Sequence, residues 1–115
     1  MATFSIVAVD TTTGEVGSAG GSCITGSIII SDIHPGVGAI HTQSYYIQAN
    51  QNYASMLMDE GFSPLEIIQL LEQNDIQGNP TIRQYGIVDL YTENNYGMLY
   101  EYECNEIDSA IWYGI

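Results

Sequence analysis

Along this chain the spacing of apolar residues changes character twice. Near residue 46 the two-residue alternation of extended strands gives way to the 3.6-residue repeat of helices, and near residue 81 the alternation returns. The first block holds four strand-like runs. TFSIVAVD (3–10) is β-branched and alternates, and DTTTGE after it is turn chemistry. EVGSAGGSCI (15–24) returns as a hairpin partner of small residues, which implies a closely packed neighbouring layer or a bent backbone. SIIISDIH (27–34) and GVGAIHTQSY (36–45) follow, divided by His34-Pro35-Gly36.

The middle block predicts two helices. YIQANQNYASMLMDEGFSP carries Ile47, Tyr53, Met56 and Leu57 at helical spacing, with Gly61 as its stop. FSPLEIIQLLEQND opens with Ser63 as N-cap, Pro64 at the first helical position and Glu66 completing a capping box; Leu65, Ile68 and Leu71 give it an apolar face. After the loop NDIQGNP, TIRQYGIVDLY (81–91) reads as a strand, TENNYG as a turn and MLYEYEC (98–104) as the returning strand, while residues 105–115 carry no clear pattern. Four strands, two helices and two strands make a single α+β domain over 1–115, with the helices on one face of antiparallel sheet.

Charge removes several function classes. The chain has one Lys or Arg against 14 Asp and Glu, a formal net charge of -13. Phosphate recognition rests on Lys and Arg, so nucleic acid and anionic membrane are not expected partners; cations and basic protein surfaces remain open. The 45% hydrophobic content separates the chain from disordered acidic tails. Cys23 and Cys104 are the two cysteines, open to one disulfide or to two separate thiols, and no zinc spacing accompanies them. MATFSIVAVD has no basic segment of the signal-peptide kind, and no run is long enough to span a membrane. Few basic residues, many Tyr and Asn, and the Cys pair point to a secreted or extracytoplasmic setting.

TFSIVAVD, TGEVGSA, PGVGAIHTQ, GFSPLEII and RQYGIVD, in that order and spacing over roughly residues 3–90, resemble the "domain of unknown function 1028" family. The resemblance implies an N-terminal nucleophile (Ntn) hydrolase-like αββα sandwich, and it implies a Cys23–Cys104 disulfide as in the secreted branch. Beyond Asp89 the likeness fades, and family domains run on further. The chain is therefore expected to be a shortened or partial sandwich, with uncovered sheet surface that drives self-association.

In the Ntn fold a Thr, Ser or Cys at the head of the first strand attacks, with its own α-amine as base. Thr3 is that candidate and needs cleavage between Ala2 and Thr3; the alternative makes Thr3 and Ser5 ordinary polar rungs of a strand. Gln43, Arg83, Gln84 and Asp89 lie in the family-like words, and Asp10 ends the first strand. Thr3, Gln43, Arg83 and Asp10 form the candidate catalytic set. Arg83 would clamp a substrate carboxylate or amide, or would pair internally with Asp10 or Asp89. His34 and His41, with Asp32, could bind a metal or move protons, against a turn or surface role. Glu101, Glu103, Glu106 and Asp108 could hold calcium, against a solvated strand face; the nine tyrosines could form an interface or a glycan surface. No cofactor or metal is implied. These readings lead to three functions: an Ntn-like domain without established activity, acting as a non-catalytic, self-assembling module; an amide hydrolase with Thr3 as nucleophile; or a secreted calcium- or glycan-binding domain.

Overall fold

The computed structural model describes residues 3–91 and 95–98, the last four by their backbone alone. Strands β1 (Thr3–Asp10) and β2 (Glu15–Ser22) form an antiparallel hairpin in full register from Thr3 opposite Ser22 to Asp10 opposite Glu15. β3 (Ser31–His34), β4 (Gly38–Gln43), β5 (Gln84–Asp89) and β6 (Asn95–Met98) form a second antiparallel sheet in that order. Two helices, α1 (Gln48–Asp59) and α2 (Pro64–Gln73), join β4 to β5. The fold is α+β, with the helices on one face of the four-stranded sheet.

Two cores lie on opposite faces of that sheet. Ile40, Tyr85 and Ile87 meet Ala54, Leu57 and Met58 of α1 and Ile67, Ile68 and Leu71 of α2. On the other face Ala39 and Val88 meet Val7 and Val9 of the hairpin. β4 and β5 are buried at every position because both of their faces are covered. α2 begins as its sequence predicts: the Ser63 side chain accepts from the Glu66 amide, and Glu66 accepts from the Ser63 amide at 2.8 Å.

Several boundaries differ from the pattern. Ser27–Ile30 is a short 3-10 turn rather than strand, because the chain leaves the hairpin there through Gly26, at φ +72°, to enter the other sheet. Pro80–Ile82 is likewise a 3-10 turn, so β5 starts at Gln84 and not at Thr81. β6 pairs with β5 from Asn95, inside the stretch that reads as a turn. α1 is rotated from its predicted face: Ala54 and Met58 are buried with Leu57, while Met56 is exposed. Asn50 and Gln51 take the remaining inward positions, which an apolar pattern cannot show. On α2, Leu65 is exposed and Ile67 is buried.

Candidate functional site

Alternation along β1 turns Thr3, Ser5, Val7 and Val9 toward the larger sheet and Phe4, Ile6 and Asp10 away from it. The inter-sheet seam is therefore apolar at its Val9 end and polar at its Thr3 end. At the polar end the Thr3 and Ser22 hydroxyls lie 2.9 Å apart. The Ser5 hydroxyl donates to Gln43 Oε1 at 2.7 Å, and Gln43 Nε2 donates to Gln84 Oε1 at 2.8 Å. Gln84 Nε2 is buried and has no hydrogen-bond partner among the described residues. Within the hairpin β2 lies close against β1 here because Gly20, opposite Ser5, has no side chain: a Cβ would stand 2.6 Å from the Phe4 carbonyl oxygen.

Beside Thr3 opens a cleft of about 340 Å³. Thr3, Ser22, Gln43 and Ser44 supply its polar lining, and Ile24, Ile30, Tyr45 and Tyr46 its apolar lining. Its wall is held in an uncommon backbone conformation. Ser44 and Tyr45, directly after β4, both have positive φ, +55° and +46°. Two successive non-glycine residues in the left-handed region cost on the order of 1–3 kcal/mol each and persist only where the surroundings fix them. Arg83 supplies that fixation, donating from Nη1 to the Tyr45 carbonyl at 2.6 Å.

Arg83 is itself 2% exposed and bound on its other edge to Asp75, whose side chain is 1% exposed. Nε donates to Oδ1 at 2.6 Å and Nη2 to Oδ2 at 3.0 Å, a bidentate pair; Nη2 also donates to Gln77 Oε1 at 2.8 Å. The guanidinium beside it holds the Asp75 carboxyl well below the usual carboxylate range, against the opposing effect of burial. The ion pair expected with Asp10 or Asp89 is thus made with Asp75, in the loop that leads to β5. Asp75 also accepts from Asn50 at 2.6 Å and from the Gln77 and Asn79 amides, tying α1 to that loop.

The two histidines lie on opposite faces of the sheet, so they form no joint site. His34 faces α1: Nδ1 lies 2.7 Å from Asp59, and Nε2 lies 2.9 Å from Asp32 and 3.0 Å from the Ser55 hydroxyl. Burial works to lower its pKa, but the two carboxylates outweigh it and the pKa is raised. His41 faces the hairpin, 2% exposed, with neither ring nitrogen hydrogen-bonded, and burial pushes its pKa down from 6.5 to about 4. The two linkages have opposite signs. His34 contributes stability that is present at low pH and is lost as pH rises through its raised folded pKa. His41, held neutral when folded, costs stability as pH falls from 6.5 toward about 4. Replacing His41 with Phe is expected to flatten the acid limb of stability against pH, and replacing His34 with Gln to flatten the limb above pH 6.5, both read by urea unfolding across pH 4–8. The same slope in either variant and the parent would contradict the assignment.

Of the candidate catalytic set, Thr3 and Gln43 line the cleft, and Arg83 buttresses it from behind. Asp10 stands at the far end of β1, about 23 Å from Thr3 at ~3.3 Å per residue. There it accepts from the Thr12 and Thr13 amides and caps the hairpin turn. Among the described residues no group of three or more His, Cys, Asp or Glu side chains is placed to hold a metal. Cys23 is exposed; Cys104, and with it the implied disulfide, lies outside the described residues, as do Glu101, Glu103, Glu106 and Asp108. Reasoning from sequence did not pick out Ser22, Asp75 or the Ser44–Tyr45 turn. Asp75 was the one with a signal: the chain's single basic side chain needs a carboxylate, and a turn aspartate eight residues back can supply one. The profile of a family of unknown function, DUF1028, matches residues 3–99. No curated protein and no solved structure matches.

Proposed function

This chain belongs to the DUF1028 family, whose function is unknown, and from that premise we propose that it carries an amide-hydrolase site of the N-terminal nucleophile type with Thr3 as nucleophile. One observation carries the reading: the Thr3 hydroxyl stands at the head of β1, turned inward, in the polar lining of a cleft. Cleavage of the Ala2–Thr3 peptide bond frees an α-amine whose ordinary pKa of roughly 8 suits a base near neutral pH. The amine takes the Oγ1 proton as Oγ1 attacks the substrate carbonyl. The C–N bond then breaks, the amine returns the proton to the leaving nitrogen, and water hydrolyses the Thr3 ester. Ser22 orients Oγ1, while Gln43, whose amide bonds Ser5, Gln84 and the Thr3 carbonyl, fixes the head of β1 against the sheet.

The test is a chain prepared with Thr3 as its first residue, assayed on a panel of amides. Turnover is expected, falling by at least about 10²-fold in Thr3→Ala and partly kept in Thr3→Ser, with none when Ala2 precedes Thr3. Turnover that survives Thr3→Ala would overturn the reading.

A second reading, self-assembly of an extracytoplasmic module, is favoured by the outer face of the hairpin. There Phe4 is 72% and Ile6 46% exposed, beside the glycine-rich β2. Sedimentation is expected to show an associated species that Phe4→Glu with Ile6→Glu dissolves; a monomer at all concentrations would refute it. A Cys23–Cys104 disulfide belongs to the same proposal and predicts a mass 2 Da lower before reduction than after.

A further inference from the structure

Resting on the Thr3 reading, we propose that the cleft takes an uncharged amide whose acyl part is apolar or aromatic, and that it excludes anionic substrates. Among the described residues no charged side chain lines the cleft. The one guanidinium nearby lies behind the wall, bound to Asp75 by two hydrogen bonds and to the Tyr45 carbonyl by a third. His41, on the same sheet face as Gln43, is held neutral by burial. A carboxylate or phosphate entering here would leave water without meeting a cation, and would do so against the field of a chain with net charge -13.

What the cleft does offer is divided in two. Ile24, Ile30, Tyr45 and Tyr46 give an apolar lining, and Tyr45, 63% exposed, offers a ring to stack on. The polar lining carries the Thr3 and Ser22 hydroxyls, which fit a neutral carboxamide group, and Gln43, bonded to Ser5, Gln84 and the Thr3 carbonyl, holds the Thr3 hydroxyl in place. Tyr46 does not add charge, since burial, with Asp32 nearby, raises its pKa; its hydroxyl donates to Gln48 Oε1 at 2.6 Å, with Gln51 Oε1 3.1 Å away. The volume of about 340 Å³ lies at the small end of the roughly 300–1,000 Å³ usual for small-molecule sites, which suits one acyl group and its amide. Arg83 keeps the aromatic wall in place by holding the Ser44–Tyr45 turn, so it sets specificity without touching substrate.

The experiment measures binding separately from turnover, on the chain with Ala2 in place, whose Thr3 amine is blocked. N-acetylphenylalaninamide, N-acetylaspartamide with a free side-chain carboxylate and N-acetyllysinamide serve as neutral aromatic, anionic and cationic probes, followed by NMR titration. The neutral probe is expected to bind at least about 10-fold more tightly than the anionic one, with shifts at Thr3, Gln43 and Tyr45. Tyr45→Ala, at an exposed position, is expected to weaken it by roughly 10-fold. Equal or tighter binding of the anionic probe, tightest binding of the cationic probe, or indifference to Tyr45→Ala would overturn the proposal. Binding as expected with no turnover by the Thr3-first chain would remove the hydrolase reading and leave the cleft's preference standing.

Discussion

Replacing Arg83 with methionine is expected to cost about 3–5 kcal/mol of folding stability, because it strands a carboxylate in the interior. Asp75 is 1% exposed and its two oxygens are matched to the guanidinium fork. Removing the cation also leaves the Tyr45 carbonyl and Gln77 without their donor. The pH dependence carries a signature that mere loss of packing would not. With Arg83 present, the Asp75 pKa is lowered, so its contribution is full above the ordinary carboxylate pKa and fades as pH falls. With Arg83 gone, the largest cause lowering that pKa is lost, and burial then opposes only the Asn79, Asn50 and Gln77 hydrogen bonds, so the dependence of stability on pH through the carboxylate range should flatten. If the single variant does not fold, Arg83→Met with Asp75→Asn keeps the question open to measurement. The asparagine carries no charge and its one acceptor oxygen keeps the bonds of the loop amides, at the expense of the Asn50 bond, so the double variant should recover part of the loss. Urea unfolding at several pH values reads all of this; a loss under about 1 kcal/mol, or an unchanged slope, would mean the pair is not buried as described.

The same substitution at two isoleucines should separate the layers. Ile87 on β5 is fully buried between α1 and α2 on the helix side of the sheet. Ile87→Ala should cost about 2–5 kcal/mol, through lost transfer energy and the cavity left behind. Ile6 on β1 points away from the sheet and is 46% exposed. Ile6→Ala should cost under about 1 kcal/mol in the monomer. Near-equal losses would mean that the hairpin's outer face is packed against something. Together with the Phe4 and Ile6 variants, that comparison also bears on self-assembly.

The frame of this fold was readable where local chemistry and tertiary demand agree. The hairpin of β1 and β2 alternates cleanly, and α2 carries its own start signal in Ser63, Pro64 and Glu66. It was unreadable where tertiary routing overrode propensity. Three isoleucines in a row read as strand, yet Ile28–Ile30 form a turn because the chain must cross between sheets there. α1 hides its inward face for a related reason: Asn50 and Gln51 are buried to bond Tyr85, Asp75, Thr42 and the Ile29 carbonyl, so polar residues stand where a pattern search wants apolar ones. Of the site, Thr3, Gln43 and Arg83 were visible as residues. Their relation was not, since it depends on Asp75 in a loop and on two left-handed residues, Ser44 and Tyr45, that carry no glycine to announce them.

Thr3 Oγ1 is expected to act as a nucleophile once its amine is free. The direct measurement is intact-protein and peptide mass spectrometry of the Thr3-first chain after reaction with a neutral β-lactone, whose ring opens as its carbonyl is transferred to a nucleophilic oxygen. One added mass equal to the whole lactone is expected, carried on the N-terminal threonine, absent from Thr3→Ala and absent from the chain that keeps Ala2. No adduct, or an adduct unchanged by Thr3→Ala, would contradict it.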